Sequence, residues 1–486
     1  MSVRRVVVVG GGITGLAAAY RLLREGAGRD GNPLEVTLIE ERRRLGGNVQ
    51  TERHDGFVVD GGPDSFITTK PQGTALCKEL GLGDRLIGTS PENRRVYVRH
   101  HGELHPLPEG LMLTVPTRFL PLARSPLMSW PGKMRMALDL VLPRRARGED
   151  ESMGHFVRRR LGQEALDRLA EPLMGGIYAG DVEALSIDST FPQLVDLERR
   201  HGSLIRGAIA QRAGAGARLV KPNAGAAPSA FHSLTGGMGE LVDALRAAIE
   251  AAGGTVQTDT RLLALTRPRG GLLAPPSPRL LVRVATPSGA EETLPADDVV
   301  LALPAYACAS ALEGLDAELA RPLREIPYLS TGTIVVAYPR AEIPHPLDAL
   351  GLIFPRSEGR RILAATFISS KWTGRAPSGM ALLRVFVGGH RDPTALGQSD
   401  EALVDLARTE LRELLAIRAA PLFTRVFRFD RSNPQPLLGH GKRVRDLRAR
   451  ASRIPGLYLA GAAFDGVGIP DCIRQANEVA SAILRA

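Results

Sequence analysis

A glycine-rich turn near the N-terminus is the feature that most constrains how this chain can fold. Gly10, Gly12 and Gly15 follow a continuous apolar run at residues 6–9, and a helical stretch begins directly after them. This spacing, between a buried strand and a helix, is typical of a dinucleotide-binding βαβ unit. The first glycine permits a tight turn, the second lets the backbone approach a pyrophosphate, and the third lets helix and strand pack closely. The pattern therefore predicts a Rossmann-type α/β domain.

The residues around this turn are the first candidates for cofactor contacts. Glu40 ends the second apolar strand, where an acid can bond a ribose hydroxyl. The free N–H groups at the start of the first helix would face the phosphates. A tight glycine turn in an unrelated βα unit is the alternative, but strand, helix, second strand and acid occur here in the expected order. The predicted contacts at the turn are Gly10, Gly11, Gly12, Ile13, Thr14 and Gly15.

Two further glycine-rich stretches indicate which dinucleotide is bound. Residues 40–47 read EERRRLGG, and residues 466–471 read GVGIPD at the start of the last helical stretch. The first resembles the E…RxGG segment that wraps FAD in the amine-oxidase-like flavoprotein superfamily. In that superfamily the start of the last helix points at the flavin ring, where its positive end stabilises anionic reduced flavin. The resemblance implies FAD rather than NAD as the cofactor.

Composition excludes some classes of protein but does not choose a ligand. The chain has 62 Lys and Arg against 52 Asp and Glu, with 44% hydrophobic residues, which is the balance of an ordinary globular protein. Its basic surface favours polyanions, anionic lipid heads or a carboxylate-rich ligand. Nucleic-acid binding has no motif behind it. Three widely separated cysteines disfavour a thiolate zinc site, so no metal is predicted, and they favour a reducing, cytoplasmic compartment. No apolar stretch is long enough to span a membrane.

Longer segments narrow the resemblance to one branch of the superfamily. Residues 61–66 (GGPDSF), 175–181 (GGIYAGD), 190–192 (TFP) and 466–473 (GVGIPDCI) are similar to the oxygen-dependent porphyrinogen oxidases of haem synthesis. The resemblance covers nearly the whole chain, with these segments in the same order as in that family. The family contains protoporphyrinogen IX oxidases and bacterial coproporphyrinogen III oxidases, and the segment 104–108 looks closer to the coproporphyrinogen type.

The resemblance implies a reaction that needs little from side chains. Coproporphyrinogen III would be oxidised to coproporphyrin III in three two-electron steps, with O2 as acceptor and H2O2 released. Flavin N5 would take a hydride from a meso carbon while a pyrrole N–H loses a proton, so no catalytic side chain is predicted. Three alternatives stay open. They are a protoporphyrinogen IX oxidase, another flavin desaturase or amine oxidase, and a GDI-like prenyl-protein-binding protein without redox activity.

The resemblance also implies further cofactor contacts. Leu262 matches a position whose backbone meets the adenine side, and Phe429 stands where the family often has Trp near the cofactor. The remaining residues implied to contact FAD are Glu40, Glu41, Gly47, Gly62, Pro63, Asp64, Ser65, Gly468, Ile469 and Pro470.

Three residues are implied to contact the substrate. Gly176 matches a glycine whose backbone carbonyl faces the substrate pyrroles. Arg94 lies near the family arginine that pairs a propionate, and Lys70 matches a lysine of the bacterial coproporphyrinogen type. Solvated surface charges would explain Arg94 and Lys70 equally well. The family's PQY motif ends in Pro436 here, so any role of that tyrosine is absent.

The motifs predict a discontinuous cofactor domain, because nucleotide-contacting segments lie at both ends of the chain. It would combine residues 1–85, 234–305 and 440–486, with a mixed-sheet substrate portion at 306–439. A helical portion at 86–210 contains Trp130 and could contact a membrane peripherally, although buried helices would give the same pattern. Residues 211–233 are small and polar and predict a flexible loop. A homodimer is compatible with this organisation.

Overall fold

The structure is a computed structural model that describes residues 3–26, 33–145, 150–218, 229–268 and 278–486. Within these ranges the chain forms two large sheets, four small ones and a helical region. The candidate site extends from the carboxyl end of one large sheet to the surface of the other.

The first large sheet, called here the parallel sheet, has five strands that all run in the same direction. In spatial order they are Thr255–Gln257, Leu34–Ile39, Arg4–Val9, Asp298–Leu301 and Leu457–Leu459. Its central strands are almost wholly buried, because helices cover both faces of the sheet. Three far-separated stretches of the chain supply its strands, so this layer is discontinuous.

Three helices cover one face of the parallel sheet: Ile13–Glu25, Gly239–Ala251 and Ile469–Arg485. The other face carries the helices Ala305–Leu312, Ala317–Arg324 and His440–Ala451, together with an antiparallel sheet of Arg261–Thr266, Leu280–Ala285 and Glu291–Ala296. Leucine, valine and alanine side chains fill both interfaces. The last helix packs directly on the first, which joins the two ends of the chain.

The second large sheet, called here the mixed sheet, has seven strands. In spatial order they are Phe423–Pro434, Tyr328–Pro339, Met380–Gly388, Ala364–Phe367, Gly351–Ile353, Val96–His100 and Glu103–Pro106. Only Gly351–Ile353 and Val96–His100 pair in parallel among these strands. The helix Asp400–Leu415 covers one face. The other face packs Trp372, Phe427 and Phe429 against the hairpin of Thr51–His54 and Phe57–Asp60. The fold-class prediction of a discontinuous Rossmann-type domain with a mixed-sheet domain is confirmed.

The region 86–210, predicted as a helical portion, begins with strands in the structure. Val96–His100 and Glu103–Pro106 are strands of the mixed sheet, and Val96–His100 pairs with Gly351–Ile353, about 250 residues further along the chain. A strand that pairs with such a distant segment has little in its own sequence that predicts it. The rest of the region is mainly helical. Its α-helices are Phe119–Arg124, Trp130–Ala137, Met153–Leu161, Gln163–Ala165, Gly176–Tyr178, Ile187–Thr190, Pro192–His201 and Leu204–Arg218, with a wide π-type turn at Leu166–Gly175 and a 3₁₀ turn at Leu138–Leu140.

The predicted loop at 211–233 is shorter than expected where the structure describes it. The helix Leu204–Arg218 covers its beginning, the strand Phe231–Leu234 covers its end, and residues 219–228 lie outside the described residues. The remaining short strands are Phe66–Ile67 and Leu86–Gly88, which flank Phe231–Leu234, and the pair Leu111–Met112 and Val115–Pro116. The remaining helical turns are Gln72–Glu79, Gly83–Arg85, Arg340–Glu342, Arg356–Glu358, Ile368–Lys371 and Ala395–Gly397. Among the described helices, none combines the length and apolarity needed to cross a bilayer.

Candidate cofactor and substrate site

The three glycines of the first turn have three different surroundings. Gly10 has φ +108°, and a Cβ there would lie 2.6 Å from the carbonyl oxygen of Ala302. A Cβ on Gly15 would lie 1.9 Å from the carbonyl oxygen of Gly10, so only glycine lets the first helix pack this closely on its strand. Gly12 has no atom within 4 Å of a Cβ position. The open space beside Gly12 is therefore where a ligand can approach the backbone.

That open space belongs to a groove at the carboxyl end of the parallel sheet. The groove has a volume of about 210 Å³. Both the first and the last helix begin at it, so their N–H groups and positive ends favour an anion there. Of the predicted cofactor residues, Gly12, Ile13, Thr14, Gly47, Pro63 and Ile469 line the groove. Gly468 directly precedes the last helix and Pro470 lies in its first turn, where proline's missing N–H is tolerated.

Glu40 is fixed beside the same turn by backbone groups. Its carboxylate accepts hydrogen bonds from the N–H of Gly11 at 2.6 Å and of Arg42 at 3.0 Å. The N–H of Thr260 donates to its main-chain carbonyl, which brings the strand containing Leu262 next to the acid. The N–H of Gly46 donates to the carbonyl of Gly11 at 2.7 Å. The two predicted FAD segments therefore form one hydrogen-bonded unit, with Leu262 close by and Glu41 exposed next to Glu40.

A second and larger cavity, of about 450 Å³, opens between the mixed sheet, the segment 61–65 and the helical turns at residues 172–179. It shares Asn48, Pro63 and Ser432 with the groove, so the two spaces are contiguous. Its volume is in the range of small-molecule sites. Gly62, Pro63, Asp64, Ser65, Phe429 and Gly176 are the sequence-predicted residues that line it. We call this space the main cavity.

A buried charge cluster forms part of the wall of the main cavity. Lys371 Nζ lies 3.0 Å from both carboxylate oxygens of Asp64, and an Arg384 guanidinium nitrogen lies 3.0 Å from one of them. Trp372 Nε1 donates to the same carboxylate at 3.2 Å. Burial by itself would raise the pKa of Asp64, but the charges of Lys371 and Arg384 outweigh it and hold that pKa well below its usual range. Burial lowers the pKa of Lys371, and Asp64 partly opposes this.

Arg384, together with Thr333, also holds the backbone of residues 60–62. Arg384 donates to the carbonyl oxygens of Asp60 at 2.8 Å and Gly62 at 2.6 Å. The hydroxyl of Thr333 donates to the carbonyl of Gly61 at 2.7 Å. Side chains of the mixed sheet therefore hold the backbone of residues 60–62, which leads into the predicted cofactor contacts that begin at Gly62. Arg384 Nε is buried without a hydrogen-bond partner among the described residues.

The sequence prediction did not include Lys371 and Arg384 as site residues. One signal for Arg384 was present, because it is a charged residue within the otherwise apolar strand Met380–Gly388. A charge in such a strand needs a buried partner. Nothing local to Lys371 indicated that its partner would be Asp64, which lies 307 residues earlier.

The three predicted substrate residues have different locations. Gly176 lines the main cavity. Arg94 is exposed beside Asn93, whose amide donates to the carbonyl of Ser370 at 3.1 Å. Lys70 Nζ lies 2.6 Å from both carboxylate oxygens of Asp471, in the first turn of the last helix. Neither Arg94 nor Lys70 is among the described residues that line the two cavities, and the roles of all three stay predictions.

Comparison with known proteins assigns the family. A family model described as "Flavin containing amine oxidoreductase" matches residues 13–484. The chain belongs to this family. The groove fits its cofactor, FAD, because a dinucleotide backbone can approach the open side of Gly12 while two helix N-termini face its phosphates.

Individual members of the family resemble this flavoprotein over its full length. It is 35% identical to coproporphyrinogen III oxidase of Bacillus subtilis (strain 168), with 98% of this chain and 97% of that protein covered. It is 31% identical to the chloroplastic protoporphyrinogen oxidase of Nicotiana tabacum, with 98% and 85% covered. A crystal structure of a protein from Exiguobacterium sp. 255-15 superposes with a TM-score of 0.82 at 32% identity, covering 100% of this chain and 99% of the other.

Proposed function

We propose that this flavoprotein is a coproporphyrinogen III oxidase of haem biosynthesis, which produces coproporphyrin III. The observation that carries the proposal is its 35% identity to the Bacillus subtilis enzyme over almost the whole of both chains. The architecture of the site agrees with this assignment. A dinucleotide groove lies next to a cavity that is large enough for a ligand, and the two share Asn48, Pro63 and Ser432 in their walls.

The reaction removes six hydrogens from the macrocycle in three equal steps. Bound FAD supplies a hydride acceptor for the meso C–H of the substrate. Each step also releases one proton, so two electrons and two hydrogens leave together. Over the three steps two of these protons come from pyrrole N–H groups and the third from the fourth meso carbon, which leaves the two N–H groups of the porphyrin. With O2 as the final acceptor, three O2 would be reduced to three H2O2.

The chain's own residues bind and orient the macrocycle. Apolar side chains of Leu173, Ile177, Ile353 and Leu363 line the main cavity and would exclude water from the ring. The carbonyl of Gly176 is proposed to accept a hydrogen bond from a pyrrole N–H on the same wall. Arg94 and Lys70 are proposed to pair with propionates at the outer side of the site. Asp64 stays ionised beside Lys371 and Arg384, and so keeps the cofactor-facing segment fixed.

Anaerobic mixing with a reduced porphyrinogen tests this function. The purified protein should be yellow, and coproporphyrinogen III should bleach its flavin absorbance within one turnover. Steady-state rates with coproporphyrinogen III and protoporphyrinogen IX then choose the substrate, and H2O2 formation tests the acceptor. A higher kcat/KM for protoporphyrinogen IX would favour the alternative suggested by the 31% identity to the Nicotiana tabacum enzyme. A flavin that neither substrate reduces would contradict both assignments and favour an amine oxidase or a GDI-like binding protein.

A peripheral membrane contact is the second part of the proposal. Large apolar side chains are exposed on neighbouring helical turns, from Leu138 at 48% to Val141 at 74%, with Trp130 at 66% and Met134 at 64%. Arg118 and Arg124 are exposed in the same region. An apolar surface beside basic side chains is typical of a protein that lies on an anionic membrane. We place the protein in the cytoplasm, where its three buried cysteines would stay reduced.

Sedimentation with lipid vesicles tests this contact. Wild-type protein should sediment with vesicles that contain phosphatidylglycerol, and the double variant Trp130→Glu, Met134→Glu should stay in the supernatant. The variant should keep its FAD and its activity. Equal sedimentation of both proteins would contradict membrane binding. A homodimer that buries the patch would instead appear as a loss of dimer in the variant by light scattering.

A further inference from the structure

We propose that Arg356 and His390 form a subsite for one carboxylate arm of the substrate, at the end of the main cavity. The inference rests on the proposed function, because it assigns the arm to a propionate of the porphyrinogen. It differs from the predicted roles of Lys70 and Arg94, which lie elsewhere on the surface.

A small side cavity next to Gly176 provides the space. It has a volume of about 30 Å³ and is lined by Arg356, His390 and Asp181 among others. It shares Pro172, Gly176, Ala179 and Leu363 with the main cavity. Because a single water needs roughly 10–15 Å³ of such space, the side cavity has room for the two oxygens of a carboxylate but not for a ring. A ring in the main cavity could therefore extend one arm into it.

Arg356 has hydrogen-bond donors to spare in this cavity. Its side chain is 57% exposed, and its one described ion pair joins a guanidinium nitrogen to Asp181 Oδ1 at 3.9 Å, which is too long for a hydrogen bond. The backbone N–H of Arg356 donates to Glu171 Oε2 at 3.0 Å, which fixes the residue at the cavity wall. A guanidinium presents N–H groups in a planar fork that matches a carboxylate.

The neighbouring Arg391 differs from Arg356 because its hydrogen-bond donors are already used. Arg391 also lines the side cavity, but it donates to Glu171 Oε1 at 3.0 Å and to the carbonyl oxygens of Phe354 at 2.8 Å and Ile362 at 3.1 Å. Its side chain is only 12% exposed. Arg391 therefore holds the wall together, while Arg356 faces the opening.

The carboxylate of Asp181 would compete with a substrate carboxylate for Arg356 and His390. His390 Nε2 lies 3.4 Å from Asp181 Oδ2, so this carboxylate lies between His390 and Arg356. The N–H of Glu183 donates to Asp181 Oδ1 at 3.1 Å. A substrate carboxylate would share Arg356 and His390 with Asp181 and would be repelled by the charge of that carboxylate. Removing the charge of Asp181 should thus strengthen substrate binding, whereas removing Arg356 should weaken it.

Steady-state kinetics with coproporphyrinogen III test these opposite signs. Arg356→Ala should raise KM about tenfold, the effect of losing one charge-assisted hydrogen bond, with kcat within about twofold of wild type because the arm is remote from the reacting carbon. Arg356→Lys should recover part of the loss. Asp181→Asn should lower KM. Arg321→Ala is the matched control, because Arg321 is 67% exposed on a distant helix and should leave KM unchanged.

The outcomes separate this subsite from the function on which it rests. If wild-type protein oxidises no porphyrinogen, the proposed function fails first. If wild type is active but Arg356→Ala leaves KM within twofold, the subsite is wrong and the function stands. A rise in KM for both Arg356→Ala and Asp181→Asn would also overturn the subsite, because it would mean that their ion pair has only a structural role.

Discussion

The groove and the main cavity are contiguous, yet they are built in different ways. The groove is made mostly of backbone, where glycines leave space and helix N-termini supply N–H groups. The main cavity is shaped by side chains of the mixed sheet and the short helix beside it, including Arg384 and Lys371, which both pair with Asp64. A site made of backbone tolerates substitution of its other residues as long as its glycines are kept. A side-chain site depends on partners that the folded chain must first bring together.

A substitution that fills the groove should have the largest effect of the changes considered for the two regions. Gly12→Val should abolish FAD binding, because the added side chain would occupy the space where the pyrophosphate approaches the backbone. The flavin-to-protein ratio after purification measures this. Gly314→Val is the matched control, since a Cβ at Gly314 also meets no atom within 4 Å but lies far from the groove. A flavin content equal to that of wild type in Gly12→Val would contradict the cofactor site.

Removing one member of the charge cluster should mainly destabilise the fold. Arg384→Met leaves Asp64 with one cation fewer and two main-chain carbonyls without their donor. Breaking a buried ion pair costs about 3–5 kcal/mol of unfolding free energy. Denaturant unfolding of the holoprotein measures the loss. Arg324→Met, which removes an exposed pair with Glu313, should lower the unfolding free energy by less than about 1 kcal/mol.

The same variant should shift acid unfolding. In wild type the lowered pKa of Asp64 gives stability that is present at neutral pH and is lost as the pH falls through that pKa. In Arg384→Met the pKa of Asp64 should move back towards its ordinary value, so this carboxylate adds less stability at neutral pH and the variant should unfold at a higher pH than wild type. Circular dichroism can follow the acid unfolding of both proteins. A midpoint pH that is no higher in the variant than in wild type would show that Arg384 does not stabilise the Asp64 carboxylate.

These two regions also differ in how far the sequence predicted them. The spacing of Gly10, Gly12 and Gly15 indicated the turn, the helix and the cofactor class, because all of its information lies within a few residues. Asp64 was predicted as a cofactor contact, but its partners Lys371 and Arg384 were not. Their meeting depends on how the mixed sheet packs against the hairpin of Thr51–His54 and Phe57–Asp60. For the same reason the sequence analysis did not predict the strand Val96–His100, which pairs with Gly351–Ile353.

Lys70 offers a smaller test at the edge between the two regions. Its ammonium already pairs with Asp471, so a propionate would have to share it. We therefore expect Lys70→Ala to raise KM for coproporphyrinogen III by only about two- to threefold, less than Arg356→Ala, and to change the unfolding free energy by under about 1 kcal/mol. The rise should shrink as salt is added. An unchanged KM would remove Lys70 from the substrate contacts.

Cys472 should show the smallest effect, on reactivity alone. Its thiol lines the groove, and burial raises its pKa to about 11, although a hydrogen bond with Thr14 partly opposes this. Since the ordinary value there is 9.0, the folded protein at pH 8 should contain about 100-fold less Cys472 thiolate than the unfolded chain. Iodoacetamide labelling, read by peptide mass, should be correspondingly slow and should accelerate as the pH rises. Rapid labelling of folded protein at pH 8 would indicate a reactive thiol instead.

The order of strands in the parallel sheet sets when the protein can acquire its cofactor during synthesis. Arg4–Val9 leaves the ribosome long before Leu457–Leu459 and the helix Ile469–Arg485 do. The first helix must wait for its partner, because Ile469–Arg485 covers the same core. Domains of many proteins fold one after another as the chain emerges. Here the mixed sheet can assemble first, but the groove is completed, and flavin can be loaded, only after the helix Ile469–Arg485 has been made.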